Sequence, residues 1–355
     1  MALLDFANMT VPKLLAKQVS TFYDHDALLS KIKAAGKMDL NGGSKIQITL
    51  VTQRGSDATQ VTPTNLAVPL TRVPVTELVE FNYGRLLIPV ILPHLDLNRL
   101  DQSGRRALVK ITTEAVMTFH KMCLMLRIYS GETLTNNPAY KMIGTLNGFK
   151  SDGTQLGLSN GAIQFATPAS QTGTYLTKTR VRDTTYYTNQ WFNQGQAFTG
   201  ITDMIKTIKN VANLCNLFSP TDSDKVSLIV CSTDTQQDLD NALTFSGGAG
   251  VPNIVYTAAD AAAGRVLAPI TQVAGIPVQS SRWFLDASYT GMVNPMLLLN
   301  PRTLQYNSNG GRDFKLGKFV NMLETNMTDA DVAVCEAEVQ FLMDYILGNG
   351  AVWTI

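Results

Sequence analysis

Residues 45–81 read KIQITLVTQRGSDATQVTPTNLAVPLTRVPVTELVEF, and their pattern decides the fold prediction. Apolar and polar residues alternate at 46–50 and again at 73–81, which is typical of two half-buried β-strands. Between them lie about twenty residues, 53–72, and a structureless loop of this length is unusual inside a compact domain. We therefore predict an extended hairpin. Because a two-stranded ribbon alone is only marginally stable in water, this hairpin is expected to need a partner surface.

The residues that follow predict one long helix. Asp101 or Ser103 can cap its start and Gly131 can end it, which gives about 29 residues and a length of about 43 Å. His120 and Cys123 lie beside its apolar stripe, and we interpret His120 as a satisfied or surface histidine. The stripe itself consists of seven side chains at spacings of three and four: Leu108, Ile111, Ala115, Phe119, Met122, Leu126 and Tyr129.

Two regions flank these elements. Residues 1–40 contain apolar side chains without a sustained period, which favours an arm laid on another surface. Residues 140–200 are rich in Gly, Thr, Asn and Tyr, with a short strand predicted near 177–182, and indicate a β-rich connector.

The remaining sequence alternates between helices and strands. A helix is predicted over 201–218, a buried strand over 225–231 and a second helix over 233–243, capped by Thr233 or Asp234. Further strands are predicted at 276–280 and 296–300. The alternation at 333–343 predicts a long half-buried strand, with Glu336, Glu338 and Gln340 on its polar face.

The composition indicates that part of the surface is covered by something other than water. The 355 residues are 45% hydrophobic and only 16% charged, against about 25% charged in an average soluble domain. The net charge of +1 lacks the basic excess of a protein that grips nucleic acid through many phosphates. The four cysteines have apolar neighbours and no metal-ligand spacing, so we interpret them as reduced thiols. We expect neither a signal peptide nor a membrane span, because the longest apolar run, 86–93, is too short.

The motifs with possible chemistry fail on their context. Residues 157–161, GLSNG, match a nucleophile elbow, but every histidine precedes Ser159 and no apolar strand leads into it. The glycines at 247–250 precede Val251 and Pro252 instead of a capped helix, and Asp222 and Asp224 lack further oxygen ligands. We therefore predict no catalytic, cofactor or metal site, and no enzyme.

Taken in order, these elements resemble the α+β Hong Kong 97-like capsid fold of tailed double-stranded-DNA bacteriophages. Residues 1–40 are similar to the N-arm of that family and 41–85 to its extended E-loop. Residues 86–200 and 326–355 resemble the peripheral domain with its spine helix, and 201–325 resemble the α/β axial domain.

The resemblance implies a structural function. A major capsid protein self-assembles into the hexamers and pentamers of an icosahedral head, which is a virion component assembled in the cytoplasm of the bacterial host. It implies a separate scaffolding protein, a portal protein, a decoration protein in some shells, and weak non-specific contact with packaged DNA. Four charged side chains of the hairpin are candidates for contacts between subunits: Arg54, Asp57, Arg72 and Glu77.

Three other functions remain alternatives at this point. An encapsulin-type bacterial compartment shell shares the fold, although the arm and the prominent hairpin favour the phage protein. An α/β hydrolase-like enzyme, with acidic residues between 201 and 325, leaves the hairpin and the long helix unexplained. A β-rich phage tail or adhesin protein disagrees with the long helix and the α/β segment.

Overall fold

The computed structural model describes most of the predicted elements. The described residues are 26–43, 45–51, 76–130, 174–175, 178–179, 190–193, 201–217, 225–245, 272–285, 293–310, 314–322, 329–345 and 348–354. The predicted arm before residue 26, the hairpin tip, most of the 140–200 connector, the GLSNG motif, the 247–250 glycines, and Asp222 and Asp224 lie outside them.

The chain forms two compact units. The first comprises Met1–Ile46, Phe81–Thr145 and Gln305–Leu342, and the second comprises Gln47–Glu80, Leu146–Leu304 and Met343–Ile355. Each unit is therefore built from segments that are far apart in the sequence.

The first unit combines a six-stranded sheet with helices. Its helices are α1 (Ala27–Ala34), α2 (His94–Asn98) and α3 (Gln102–Ser130). Its sheet has the order β1-β12-β15-β13, and β4 and β14 also pair with β15. These strands are β1 (Met38–Gly42), β4 (Gly84–Pro93), β12 (Leu304–Asn309), β13 (Lys315–Leu316), β14 (Val320–Asn321) and β15 (Ala330–Met343).

The pairing of β15 with β4 organises this unit. The two strands are antiparallel over ten residue pairs, from Ala330 opposite Pro93 to Val339 opposite Gly84. The predicted strand at 333–343 is confirmed, but its polar face is not solvated throughout, because Glu338 and Gln340 are buried.

The predicted long helix is also confirmed, with Asp101 as its cap. The Gly104 backbone N–H donates to Asp101 Oδ1 at 2.7 Å, and the Ser103 hydroxyl donates to Asp101 Oδ2. The face packed on the sheet, however, is not the predicted stripe. Buried side chains of that face are Val109, Thr113, Met117, His120 and Leu124, whereas Ile111 is 63% and Phe119 51% exposed. The apolar pattern in the sequence did not identify this face, because Thr113 and His120 form part of it and a search for apolar residues passes over polar ones.

The last part of the predicted arm, from Asp26 onward, folds into α1 and β1. Asp26 caps α1 by accepting hydrogen bonds from the Leu28 and Leu29 backbone N–H groups at 2.9 and 3.2 Å. Leu28, Leu29 and Ile32 are buried, and β1 pairs in parallel with β12. Residues 27–42 are therefore an integral part of the first unit, because burial of one helix face and pairing of a strand fix them there.

The second unit is an α/β layer structure. Its sheet has the order β7-β16-β11-β8-β10-β9. Its elements are β7 (Gln190–Asn193), α4 (Ile201–Leu217), β8 (Leu228–Cys231), α5 (Thr233–Phe245), β9 (Gln272–Val273), β10 (Ile276–Ser280), β11 (Val293–Leu299) and β16 (Gly350–Thr354). The core is centred on α4 and on β8, all four residues of which are buried.

Two details of this unit differ from prediction. Helix α5 is capped by Ser232, whose hydroxyl accepts from the Thr235 backbone N–H at 3.0 Å, and not by Thr233 or Asp234. The strand β16 pairs antiparallel with β11, so the chain end belongs to this sheet, whereas residues 305–325 lie with the first unit. The predicted boundaries at 201–325 and 326–355 differ here because pairing between remote strands, and not sequence order, sets the units.

The remaining described elements are two strand pairs and one short turn. Strands β2 (Ile46–Val51) and β3 (Thr76–Phe81) form a two-stranded sheet, and β5 (Thr174–Tyr175) pairs with β6 (Lys178–Thr179). A short 3-10 turn, Pro301–Thr303, precedes β12. None of the described helices combines the length and hydropathy needed to span a membrane.

Candidate assembly surfaces

The two-stranded sheet formed by β2 and β3 has one buried face and one solvent-exposed face, which we call the open face. Ile46, Ile48 and Leu50 are buried, as their alternation predicts, and Val79 is buried on β3. Leu78, which points to the opposite side from Val79, is 62% exposed. Across the pair, the Gln47 amide donates to Glu80 Oε1 at 2.7 Å. The open face therefore presents one large apolar side chain beside polar groups.

Only one of the four predicted contact residues is placed by the structure. Glu77 lies on β3 with a partly buried side chain. Arg54, Asp57 and Arg72 lie outside the described residues. Their role between subunits stays a prediction.

A second surface, which the sequence did not single out, lies on the outer face of the first unit's sheet. The register places Ile91 opposite Val332, Pro89 opposite Val334, and Val320 opposite Val332 from the other side. Directly opposed residues of an antiparallel pair point to the same face, so these side chains form one patch. We call this the sheet patch, and it consists of Leu87, Pro89, Ile91, Val320, Val332 and Val334.

The sheet patch is open to solvent, although the opposite face of the same strands is core. Leu87 is 47%, Ile91 50% and Val320 53% exposed, whereas Val90, Leu92 and Ala333 are buried beside Val109 of α3. Scattered exposed leucines are ordinary, but a contiguous aliphatic patch across three strands marks an interaction surface. The signal that could have found it is the run 86–93, LLIPVILP, since a strand without polar positions has two faces to cover.

Charged side chains close one end of the sheet patch. Arg85 Nη2 lies 2.9 Å from Glu336 Oε2, and Arg85 Nε lies 3.3 Å from Glu338 Oε1. The Asn309 side-chain amide donates to the other oxygen of Glu338 at 2.8 Å. This network orients Arg85 and leaves its side chain 44% exposed at the rim, where a partner could reach it.

His94 forms a second charged cluster at the other end of β4. Its Nδ1 lies 2.6 Å from Asp329 Oδ1, and its Nε2 lies 2.9 Å from Asp331 Oδ1. The hydrogen bond to Asp331 raises the pKa of His94 above its usual value, partial burial opposes this, and Asp329 adds to the increase. The ring is therefore more easily protonated than a free imidazole, and in its protonated form both nitrogens donate to carboxylates.

The buried side chains of His120 and Cys335 lie in contact and form an unreactive pair. His120 Nδ1 lies 3.1 Å from Cys335 Sγ, and the His120 ring meets Phe314 edge-on at 5.3 Å between centroids. Burial lowers the pKa of His120 to about 4 and raises that of Cys335 to about 12, so both groups are neutral and the thiol is not a nucleophile. The interpretation of His120 as satisfied is wrong in one respect, because its Nε2 has no hydrogen-bond partner among the described residues.

No group of three or more His, Cys, Asp or Glu side chains suited to a metal ion occurs within the described segments. The features that the structure brings together are thus surfaces and not a reaction centre: the open hairpin face, the sheet patch and its charged rim.

Comparison with solved structures identifies the architecture. The chain is similar to a subunit of the cyanophage A-1(L) capsid asymmetric unit, with 13% identity over 89% of this chain and 90% of that one and a TM-score of 0.60. It is also similar to a chain of the native GTA particle capsid, with 8% identity, 92% and 90% coverage and a TM-score of 0.51. A chain from Mycobacterium phage Bobi matches with 9% identity, 92% and 90% coverage and a TM-score of 0.51.

The chain has a phage-capsid fold. The match covers about nine-tenths of each partner, so the phage-capsid fold describes both units and not a shared fragment. The predicted α+β class is confirmed at this level. No protein-family model and no curated protein matches the sequence.

Proposed function

We propose that this chain is the major capsid protein of a tailed double-stranded-DNA bacteriophage. Copies associate without covalent bonds into hexamers and pentamers that form the icosahedral head around the genome. The observation that carries this proposal is the phage-capsid fold over nearly the full length of the chain, including the match to the cyanophage capsid subunit. Low charge and open apolar surfaces support it, because many neighbours then cover each subunit.

The parts of the Hong Kong 97-like fold can be assigned to elements on this basis. Helix α3, with 29 residues, fits the spine helix, and β15, with 14, fits the closing strand of the peripheral domain. The α/β sheet of the second unit fits the axial domain. The β2–β3 hairpin fits the E-loop. The N-arm assignment of residues 1–40 stays a prediction for those before Asp26, which lie outside the described residues.

The hairpin is proposed to clasp a neighbouring copy. Its open face carries Leu78, and its tip contains the candidate contact residues Arg54, Asp57 and Arg72 with Glu77 nearer the base. Individual surface ion pairs contribute little, about 0–1 kcal/mol each. Repetition around a closed shell makes weak contacts sufficient, because each added contact is formed at high effective concentration.

Other partners belong to the same proposal. A separate scaffolding protein would guide assembly, a portal protein would occupy one vertex, and a decoration protein could bind outside. The near-neutral net charge suits a wall that confines DNA through weak non-specific contact. The proposal places the protein in the virion, with assembly in the host cytoplasm and no catalytic role. Nothing in the described residues favours the compartment-shell, hydrolase or tail-protein alternatives.

Electron microscopy of the purified chain, alone and coexpressed with the scaffold, tests the function. Hollow shells or capsomers are expected. A monomer that persists under all these conditions and turns over a substrate would contradict the proposal.

Deleting residues 53–72 tests the clasp. We expect a subunit with an unchanged circular dichroism spectrum that no longer forms shells, because the deletion removes the tip and leaves β2 and β3. A matched variant keeps the length and removes only the charges: Arg54→Ser, Asp57→Ser and Arg72→Ser. If the deleted chain still forms normal shells, the hairpin is not a clasp. If the charge variant fails as the deleted chain does, the charges carry the contact, and if only the deleted chain fails, the length of the tip carries it.

A further inference from the structure

Helix α3 carries a second apolar face that the described chain leaves open. Ile111, Ala115 and Phe119 are exposed and recur every four residues, so they lie along one side of the helix. Leu108 and Met122 extend the same side and are partly buried. The sheet packs on the opposite side of the helix. We call this face the helix stripe. Leu108, at its N-terminal end, packs against the core of the first unit, whereas Ile111, Ala115 and Phe119 stay exposed.

The C-terminal end of the helix stripe is fixed to the start of the described chain. Tyr129, the last member of the stripe, is buried and donates its hydroxyl hydrogen bond to the Asp26 carboxylate, with oxygen distances of 3.0 and 3.1 Å. The same carboxylate caps α1, which holds Asp26 in place. Residues 1–25 lie outside the described residues, and the chain must reach Asp26 from them.

The length of this segment matches the helix stripe. From Ile111 to Tyr129 the helix rises about 27 Å, at 1.5 Å per residue. Residues 11–25 span about 22 Å if helical and about 50 Å if extended. A segment anchored at Asp26 is therefore long enough to cover the open part of the stripe of its own chain.

The sequence of the segment matches it as well. Val11, Leu15, Val19 and Phe22 recur at spacings of four, four and three. Ile111, Ala115, Phe119 and Met122 recur at the same spacings. Equal spacing lets two helices running side by side present a continuous apolar seam to each other, and Pro12 is tolerated because it would fall in the first turn.

We propose that residues 11–25 pack along the helix stripe of the same chain. The inference concerns the folded subunit and does not depend on shell formation. A second copy, a different protein or DNA are the other occupants that the experiment must distinguish.

Photo-crosslinking tests the occupant directly. Phe119 is replaced in the full chain by p-benzoylphenylalanine, which keeps the phenyl ring and adds a photoreactive benzoyl group. The protein is irradiated before and after assembly, and the crosslinked peptides are mapped by mass spectrometry. The expected result is a crosslink to a peptide within residues 11–25 in a product of monomer mass. The same probe at Lys110, which is exposed about 100° around the helix from Ile111, is the matched control and should label that segment at least fivefold less.

Other crosslinking outcomes overturn the proposal. A product of dimer mass assigns the stripe to a second copy, and a crosslink to DNA, to a scaffolding protein or to any other segment assigns it elsewhere. Absence of any crosslink in 11–25 also overturns it. Shell formation by the same variant, scored by microscopy, is a separate readout, so normal shells without the crosslink would reject this inference and leave the proposed function intact.

Hydrogen exchange provides an independent measurement. The double variant Ile111→Asp and Phe119→Asp should exchange amides within 11–25 at least ten times faster than wild type, with amides of β4 and β15 unchanged. Unchanged exchange in 11–25 would contradict the docking.

Discussion

His94 links the start of α2 to the start of β15 through hydrogen bonds to two carboxylates. It begins α2, and its ring lies between Asp329 and Asp331 at the start of β15, while its backbone N–H donates to the Asp329 carbonyl at 3.0 Å. The pKa of His94 is raised in the folded chain, first through the hydrogen bond to Asp331. A raised pKa means that the folded state binds the proton more tightly than the unfolded state does.

The first prediction is a pH-dependent contribution of His94 to stability. It is fully present below the unfolded pKa, about 6.5, and is lost as pH rises through the higher folded pKa. Thermal unfolding of wild type and His94→Gln should therefore differ most near about pH 6 and converge as the pH rises through the folded pKa. Lys110→Gln, an exposed charge change on α3, should give a difference that varies little over this range. A His94→Gln difference that stays constant with pH would contradict the assignment.

Strand β1 packs so closely against its neighbours that one of its positions has no room for a side chain. A Cβ added to Gly42 would collide with the Tyr83 hydroxyl and lie 2.9 Å from the Ser308 carbonyl oxygen. Gly43, the next residue, has open space around the same position. The edge of the sheet thus has no room for a side chain at Gly42, whereas it can accommodate one at Gly43.

We predict that Gly42→Ala destabilises the chain by about 1–3 kcal/mol, because overpacking forces the strand or Tyr83 to move. Gly43→Ala is the matched control and should change stability by less than about 0.5 kcal/mol. Chemical denaturation of both variants measures this. Adding Tyr83→Phe to Gly42→Ala should recover part of the loss, and equal effects of the two alanines would refute the packing argument.

At the scale of the whole molecule, two adjacent residues of β4, Val90 and Ile91, point to opposite faces of the sheet. Val90 is fully buried in the core beneath α3, whereas Ile91 belongs to the sheet patch and is half exposed. One face of this strand thus holds the subunit together, whereas its other face is open to solvent.

Substitutions at these two positions should separate stability from assembly. Val90→Ala should cost about 1–3 kcal/mol of unfolding free energy. Ile91→Ala should stay within about 0.5 kcal/mol of wild type and yet reduce shell yield several-fold, since the patch is buried only on association. Denaturation curves and shell counts by electron microscopy check both. Normal shell yield from Ile91→Ala would remove the sheet patch from the list of assembly surfaces.

Local spacing in the sequence determined the elements. The hairpin strands, the cap and length of α3, the buried strand β8 and the helix α4 follow from periods of two and 3.6 residues and from capping chemistry, which act over a few residues. The low charged fraction and the long predicted hairpin likewise indicate an assembling protein from the sequence alone.

Only the tertiary structure decided which faces meet. Helix α3 packs on the sheet through a face that includes Thr113 and His120, while its more apolar stripe is left open, and the sequence contains both faces without ranking them. The pairing of β4 with β15 and of β11 with β16 joins residues that are far apart in the chain, and such pairing has no local signature. The sheet patch exists because that register brings Ile91, Val332 and Val320 onto one face, so assembly surfaces are a property of the folded chain and not of any segment alone.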